Sequence, residues 1–222
     1  MGTTYNPAIV TDGLVFCVDA ANKRSYPGTG TTLTDIAGVS NGTLTNGPTF
    51  DSANGGSIVL DGSNDEIICG NDASIQITEG TISAWFAAND GNTIYRGIIA
   101  KQDAWGLFVY NDELIAFDWN GGASGSRRHT GIDVGNGAWN NAVLTFTETT
   151  GSPSSNAKIY LNGDLVLTTT VKHSHQNNSL QLGEANAAQH LSGKISQASV
   201  YNRVLTPDEV RQNYEATVGR YT

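Results

Sequence analysis

The fold is decided by the stretch Trp139-Asn140-Asn141-Ala142-Val143-Leu144-Thr145 and by the segment Lys158-Ile159-Tyr160-Leu161-Asn162-Gly163 that follows it. In the first stretch, Val143 and Leu144 fall on opposite faces of one extended strand. The dipeptide Asn162-Gly163 favours a tight hairpin turn, so the second segment predicts a strand followed by an antiparallel partner.

Strands of this kind recur along the whole chain without a helix between them. Runs with strand composition are found at residues 13–19, 57–60, 66–69, 81–87, 94–101, 106–110, 113–119, 139–147, 158–161, 165–171, 180–183 and 193–201. Turns rich in glycine, asparagine and aspartate separate the runs, which is typical of sandwiches. No linker or shift in composition divides the chain. We therefore expect an all-β, two-sheet antiparallel sandwich that forms a single domain over residues 1–222.

The end of the chain breaks this pattern and predicts one helix. Thr206 precedes Pro207, a residue that suits the first helical position, and Glu209 stands three residues after Thr206. This arrangement is a capping box. We expect a short C-terminal helix over residues 207–216 that covers one edge of the sandwich.

The net charge and the lengths of the apolar runs argue against two classes of partner, nucleic acids and membranes. The 222 residues carry a formal net charge of −9, which opposes a phosphate backbone, so nucleic acid is not an expected partner. No run reaches the ~18 apolar residues that a membrane-spanning helix needs, so membrane insertion is not expected. The first residues hold neither a basic segment nor an apolar core. No signal peptide is predicted, and synthesis in a cytoplasm is expected.

Cys17 and Cys69 are the only cysteines in the chain. Both lie in apolar, strand-like runs, where buried free thiols are common. Two structural thiols are therefore the favoured interpretation, and a disulfide between them is the alternative.

Two stretches near the N-terminus resemble a known family. They are residues 13–28, which begin Gly13-Leu14-Val15-Phe16-Cys17, and the segment Asn41-Gly42-Thr43-Leu44-Thr45-Asn46-Gly47-Pro48. With the strand series, they resemble the laminin G-like, or concanavalin A-like, jelly-roll proteins, especially those of tailed (marine) bacteriophages. The resemblance implies a non-enzymatic virion protein, either a capsid decoration protein or a fibre component, located on the virion surface with other virion proteins as partners. It also implies that glycan binding and a calcium ion are common among relatives.

Two other functions compete with a structural role. One is a glycan-binding lectin module for adsorption to a host surface, and the other is a glycoside hydrolase. Hydrolysis requires two carboxyl groups about 5–9.5 Å apart, which on one strand places acids at positions i and i+2. None of the 21 Asp and Glu residues has another acid two positions away. The sequence therefore predicts no catalytic residues, and a pair drawn from different strands is the alternative.

A calcium site is predicted at the turn between two strands. The turn contains Asp61 and Asp65, and Asp35 in the irregular N-terminal segment could approach them. Carboxylate and loop oxygens are the ligands that calcium prefers. The alternative is that these residues simply favour turns.

For glycan binding, the sequence offers aromatic side chains near strand ends and one basic cluster. Aromatic rings present apolar faces beside polar edges, as sugar recognition requires. The candidate carbohydrate-binding residues are Trp105, Tyr110, Trp119, Arg127 and Arg128. Core packing is the alternative for both tryptophans.

The segment of residues 22–51 is long, polar and without a repeating strand pattern. Loops of that length are rarely without a role in a compact domain, so we expect this segment to contact other subunits or the capsid. A sandwich has sheet edges to protect, and most oligomers close by symmetry. We therefore expect a homo-oligomer, with a trimer as the simplest form for a virion.

Overall fold

The computed structural model describes residues 7–89, 94–118, 126–147, 156–172, 177–185 and 189–222. The predicted carbohydrate-binding residue Trp119 lies outside these ranges. The strands within them are β1 (Leu14–Asp19), β2 (Thr32–Leu33), β3 (Gly42–Thr45), β4 (Thr49–Asp51), β5 (Ser57–Asp61), β6 (Glu66–Ile68), β7 (Gly80–Ala88), β8 (Tyr95–Lys101), β9 (Trp105–Tyr110), β10 (Glu113–Asp118), β11 (Ser126–Asp133), β12 (Trp139–Phe146), β13 (Ala157–Leu161), β14 (Asp164–Thr169), β15 (Leu180–Leu182) and β16 (Ser192–Tyr201).

These strands form two sheets. Sheet I has the order β14-β13-β12-β7-β16-β5-β4, with β1 also paired to β16, and sheet II has the order β11-β10-β9-β8-β15-β6-β3-β2. The pairings between the described strands are antiparallel. The predicted two-sheet antiparallel jelly-roll sandwich is confirmed.

Alternation along the strands places the core between the sheets. In β7, Ile82, Ala84 and Phe86 belong to the main hydrophobic core, as the sequence pattern predicts. Trp85, on the opposite face of the same strand, is also buried, with 3% of its surface exposed. It is buried because the C-terminal segment covers the outer face of sheet I.

Two hairpins follow the local turn chemistry. Asn111 and Asp112 have φ values of 52° and 64°, and they join β9 to β10. Asn162 and Gly163 have φ values of 52° and 83°, and they join β13 to β14. Left-handed φ at both central positions is the signature of the hairpin turn whose twist matches the strands, and Asn, Asp and Gly adopt it most readily. Both turns therefore set the register of their strands.

The predicted helix is α1 (Pro207–Thr217). Its capping box is formed, since the Thr206 backbone N–H donates to Oε2 of Glu209 at 2.8 Å and the Glu209 N–H donates to the Thr206 hydroxyl at 3.3 Å. Val210 of the helix is buried among Val143, Tyr160, Tyr201 and Leu205. The helix thus covers the outer face of sheet I. The expectation that it would cover an edge of the sandwich was wrong.

The sequence pattern missed four strands. Residues 22–51, expected to be irregular, contain β2, β3 and β4, and each pairs in register with a neighbour. Strand β11 was not predicted either, since only its basic cluster at Arg127 and Arg128 stands out in the sequence. Its eight residues pair along β10 with a bulge between Glu113 and Ile115. Strands β2, β4 and β11 lie at sheet edges, and all four missed strands are short or polar. They carry little apolar alternation, so sequence periodicity does not reveal them.

Both thiols lie inside the fold. Cys17 and Cys69 are free, and they are 1% and 0% exposed. Burial raises the pKa of Cys17 to about 12 and also raises the pKa of Cys69. In the described part of the chain, no helix has the length and apolar character needed to cross a membrane.

Candidate functional site

The two outer faces of the sandwich differ in how far other elements cover them. The outer face of sheet I is covered by α1, and its Trp85 ring stacks on Tyr221 with a centroid separation of 4.0 Å. The outer face of sheet II carries a separate hydrophobic cluster, in which Phe108 and Ile115 are buried and Tyr95, Tyr110 and Phe117 are partly buried. The partly buried rings of Tyr95, Tyr110 and Phe117 are available for contact with a ligand, and the buried Phe108 ring packs against Tyr95 and Phe117. We call the four rings of Tyr95, Phe108, Tyr110 and Phe117 the aromatic platform.

The platform is built by strand alternation and cross-strand pairing. Phe108 and Tyr110 lie on the outer face of β9 because Leu107 and Val109 face the core. Ile115 of β10 stands opposite Phe108, and so continues the same face. Tyr95 packs against Tyr110 at 4.8 Å and against Phe117 at 5.2 Å in an edge-to-face arrangement. Such ring pairs hold one another in fixed orientations.

Arg127 lies over the platform. Its guanidinium carbon is 4.0 Å from the centroid of Tyr110 and 5.0 Å from that of Tyr95. Its Nε donates a hydrogen bond to the Tyr95 hydroxyl. The two terminal nitrogens form no hydrogen bond within the described ranges, and the residue is exposed. A guanidinium fixed in this way presents a planar set of donors to solvent, and it has lost most of its freedom before any ligand arrives.

An acid and an imidazole stand beside this group. Nδ1 of His129 is 2.7 Å from Oε2 of Glu113, and the two side chains are 47% and 21% exposed. The His129 ring also meets the Tyr110 ring edge to face at 6.3 Å. The site therefore combines aromatic surface with cationic donors and a carboxylate acceptor. This combination can hold a polyhydroxylated ligand through stacking and hydrogen bonds.

Two of the predicted carbohydrate-binding residues are in this site and two are elsewhere. Tyr110 and Arg127 form part of it. Trp105 is 1% exposed and belongs to the core between the sheets, so its prediction as a glycan-contacting residue is wrong. Arg128 lies on the other face of β11, and its Nε donates to the Thr170 carbonyl at 2.5 Å. Adjacent strand residues point to opposite faces, so Arg127 and Arg128 cannot share a site. Trp119 lies outside the described residues.

The predicted metal residues are not brought together. One Asp35 oxygen accepts hydrogen bonds from the N–H groups of Cys17, Ala37 and Gly38 at 2.9–3.0 Å, and the other accepts from Ser40 at 3.1 Å. This buried carboxylate holds the N-terminal segment against β1. No group of three or more His, Cys, Asp or Glu side chains within the described ranges could hold a metal ion. The three-carboxylate set is therefore wrong.

The remaining two acids of that set do lie in one turn. Asp61 accepts from the Ser63 N–H at 2.8 Å, and its own N–H donates to Oδ2 of Asp65 at 3.1 Å. The hydrogen bond from Ser63 lowers the pKa of Asp61, whereas burial raises the pKa of Asp65. Calcium ligation by this pair stays a prediction.

Two carboxylates share one hydrogen-bond donor at sheet II, Glu66 from β6 and Glu184 from just after β15. Nε2 of Gln181 donates to Oε2 of Glu66 at 2.9 Å and also to Oε2 of Glu184. Glu184 is 0% exposed, so it has no surface that a substrate could touch. Catalysis by a general acid requires contact with the leaving group. The Gln181 amide joins the partly buried Glu66 to the fully buried Glu184.

Sequence reasoning missed Tyr95 and Glu113, and His129 stood out only as the last residue of the basic cluster and not as a binding residue. One signal was available, because Glu113 directly follows the Asn111-Asp112 turn and therefore stands opposite Tyr110. His129 and Tyr95 reach the site through the pairings β10–β11 and β8–β9, which the sequence does not specify.

The fold and the site define a lectin-like β-sandwich with an aromatic, charged outer face. A family model described as the concanavalin A-like lectin/glucanases superfamily matches residues 61–211. The chain belongs to this superfamily. No curated protein sequence matches the chain.

Several solved structures share the fold. The binding domain of Paraclostridial Mosquitocidal Protein 1 superposes with a TM-score of 0.72 at 18% identity, over 92% of this chain and 52% of that one. Domain 4 of AbnA, a GH43 extracellular arabinanase from Geobacillus stearothermophilus, has been solved in complex with arabinotriose. It superposes with a TM-score of 0.68 at 18% identity, over 90% of this chain and 98% of that one. Trypanosoma rangeli sialidase superposes with a TM-score of 0.69 at 14% identity, over 97% of this chain and 35% of that one. The chain spans about half the length of the toxin binding domain. At these identities the likeness concerns the fold alone.

Proposed function

We propose that this protein is a non-enzymatic glycan-binding protein and that the aromatic platform with Arg127 is its binding surface. The observation that carries the proposal is the exposed Arg127 guanidinium, whose carbon lies 4.0 Å from the Tyr110 ring centroid and whose terminal donors are unpaired in the described chain. A sugar ring has an apolar face that packs on aromatic carbon and hydroxyls that accept from a fixed donor fork. Glu113 and His129 supply an acceptor and a second polar edge next to it.

The hydrogen bonding and burial of two carboxylates, Glu66 and Glu184, support the non-enzymatic assignment. Glu66 and Glu184 are both bound by the Gln181 amide, and Glu184 is fully buried. Purified protein is therefore expected to release no reducing sugar from bacterial or algal polysaccharides. Sustained release that is abolished by one Asp or Glu substitution would contradict this assignment.

Binding is tested by screening the full chain against an array of bacterial and algal glycans that includes arabino-oligosaccharides. Hydrogen bonds from a charged donor contribute about 1.5–3 kcal/mol, so Arg127→Gln is expected to weaken a captured glycan roughly ten- to a hundredfold. Arg24→Gln is the matched control, since Arg24 is an exposed arginine far along the chain from the platform strands. The proposal fails if no glycan is bound or if Arg127→Gln binds like the parent chain.

We propose a virion as the setting, with the protein as a decoration or fibre component on its surface. This rests on the resemblance of residues 13–28 and 41–48 to phage laminin G-like proteins. The structure ties these stretches together, because an Asp35 oxygen accepts from the Cys17 N–H and the Asp35 N–H donates to Oδ1 of Asn41, both at 2.9 Å. Between the stretches, Ile36 and Val39 are apolar and 37% and 72% exposed. Exposed apolar side chains of this kind suit a contact with another subunit or with capsid proteins.

The virion proposal has two direct tests. Electron microscopy of virions labelled with an antibody against this protein is expected to show label on the virion surface. Virions without label would refute the surface location. Light scattering is expected to give a homo-oligomer, a trimer in the simplest case, and Val39→Ser is expected to shift it toward monomer. A strict monomer at high concentration would refute the oligomer.

A further inference from the structure

A pocket lies on the outer face of sheet I, on the opposite side of the sandwich from the aromatic platform of sheet II. It is about 240 Å³ in volume, and its walls include Thr145, Lys158, Tyr160, Thr168 and the loop Val204 to Pro207. This is somewhat smaller than the ~300–1,000 Å³ of pockets for drug-sized ligands. The space therefore suits one ring-sized unit.

The floor of the pocket follows from strand register. Thr145 of β12 stands opposite Lys158 of β13, and Lys158 stands opposite Thr168 of β14. Residues directly opposite in antiparallel strands share a face. The result is a row in which one ammonium group lies between two hydroxyl groups. Thr81 of β7 continues the row on the other side of Thr145.

The wall of the pocket is fixed before any ligand binds. The Thr81 hydroxyl donates to the Arg203 carbonyl at 3.0 Å and accepts from the Leu205 N–H at 2.9 Å. The Arg203 guanidinium binds both carboxylate oxygens of Glu209, at 2.6 and 2.9 Å. Because the loop is held from both sides, Val204 and Pro207 offer a preformed apolar wall.

Two polar groups in the pocket have no partner in the described ranges. Tyr160 is 1% exposed, and its phenol forms no hydrogen bond there. Lys158 is exposed and forms no ion pair there, although the chain as a whole is acidic. Although the Tyr160 ring is buried, its hydroxyl is reached by solvent through the pocket, so it is open to a hydrogen bond with a ligand or a water molecule. Burial also raises the pKa of Tyr160, so the phenol remains a donor near neutral pH.

We propose that this pocket binds one carboxylate-bearing sugar unit of the uronate type. The Lys158 ammonium pairs with the carboxylate, and the hydroxyls of Tyr160, Thr145 and Thr168 bond to the ring hydroxyls. The apolar face of the ring packs on the wall formed by Val204 to Pro207. This site is independent of the aromatic platform, so each can fail without the other.

The test is titration of the full chain with sodium glucuronate and with a short polyuronate, using glucose and inorganic phosphate as comparison ligands. Glucuronate and the polyuronate are expected to bind, with affinity falling as salt rises. Lys158→Met is expected to weaken binding tenfold or more, and Lys23→Met, at an exposed lysine elsewhere, is expected to leave it unchanged. Tyr160→Phe removes only the unpaired hydroxyl, so it is expected to weaken binding severalfold at an unchanged melting temperature.

The arms of this experiment separate the possible sources of binding. Binding of the polyuronate without the monomer would assign the pocket to a chain end or an internal unit of a polymer, which still supports the proposal. Glucose or phosphate bound as tightly as glucuronate would overturn it. So would a Lys158→Met variant that binds like the parent, or an Arg127→Gln substitution that removes the uronate signal by itself.

Discussion

Acidification is expected to weaken the ion pair that anchors helix α1 and the wall of the sheet I pocket. Glu209 binds Arg203 through two hydrogen bonds and also accepts from the Thr206 N–H. These contacts, the one from Arg203 above all, lower the pKa of Glu209 from 4.5 to about 2. A group with a depressed pKa contributes stability that is present above its unfolded value and is lost as the pH falls through the folded value.

The size of this effect follows from the shift. Each pKa unit corresponds to about 1.36 kcal/mol, so the shift sets an upper bound of about 3 kcal/mol. The Glu209 side chain is 26% exposed, and solvent screening reduces the figure, so we expect about 1–2 kcal/mol. The contribution is complete above about pH 5 and disappears between about pH 4.5 and pH 2.

The assay is denaturant unfolding of the parent chain and of Glu209→Gln at pH 7, 5, 4 and 3. The variant is expected to be less stable by about 1–2 kcal/mol at pH 7, and the difference is expected to shrink as the pH falls below 4.5. Glu215→Gln is the control, because its i,i+4 pair with Arg211 is half exposed and contributes little. A difference that stays constant from pH 7 to pH 3 would refute the linkage between this carboxylate and the helix anchor.

Three further predictions concern the buried polar groups and the turn acids. Asp35→Ala leaves four backbone N–H groups without their acceptor, so the free energy of unfolding is expected to fall by about 3 kcal/mol. The control Asp61→Ala removes an exposed carboxylate and is expected to lower it by less than about 1 kcal/mol. Equal losses of unfolding free energy would contradict the role of Asp35. Cys17 and Cys69 are expected to resist a thiol reagent at pH 8 in the folded protein and to react fully in denaturant, and failure of both to react when unfolded would instead indicate a disulfide. Calcium ligation by Asp61 and Asp65 predicts a higher melting temperature in millimolar calcium than in chelator, and an unchanged value would rule it out.

The sequence by itself determined the elements whose signals are local. The hairpin turns at Asn111-Asp112 and Asn162-Gly163 require left-handed backbone, and these residues adopt it at low cost. The capping box of Thr206 and Glu209 satisfies the first backbone donors of the helix with side chains only three residues apart. Each of these arrangements is complete within a few residues, so no distant partner is needed to recognise it.

The candidate site was decided by tertiary structure. Alternation alone could have assigned Trp105 to the core, since it shares a face of β9 with Leu107 and Val109. Nothing local could have assigned Arg127 to the outer face and Arg128 to the inner one, because that depends on which β11 residue stands opposite Phe117. Register is set by pairing between strands, and a shift of one residue exchanges the two faces. The guanidinium over Tyr110, and the row of Thr145, Lys158 and Thr168 on sheet I, therefore exist only once the sheets have formed.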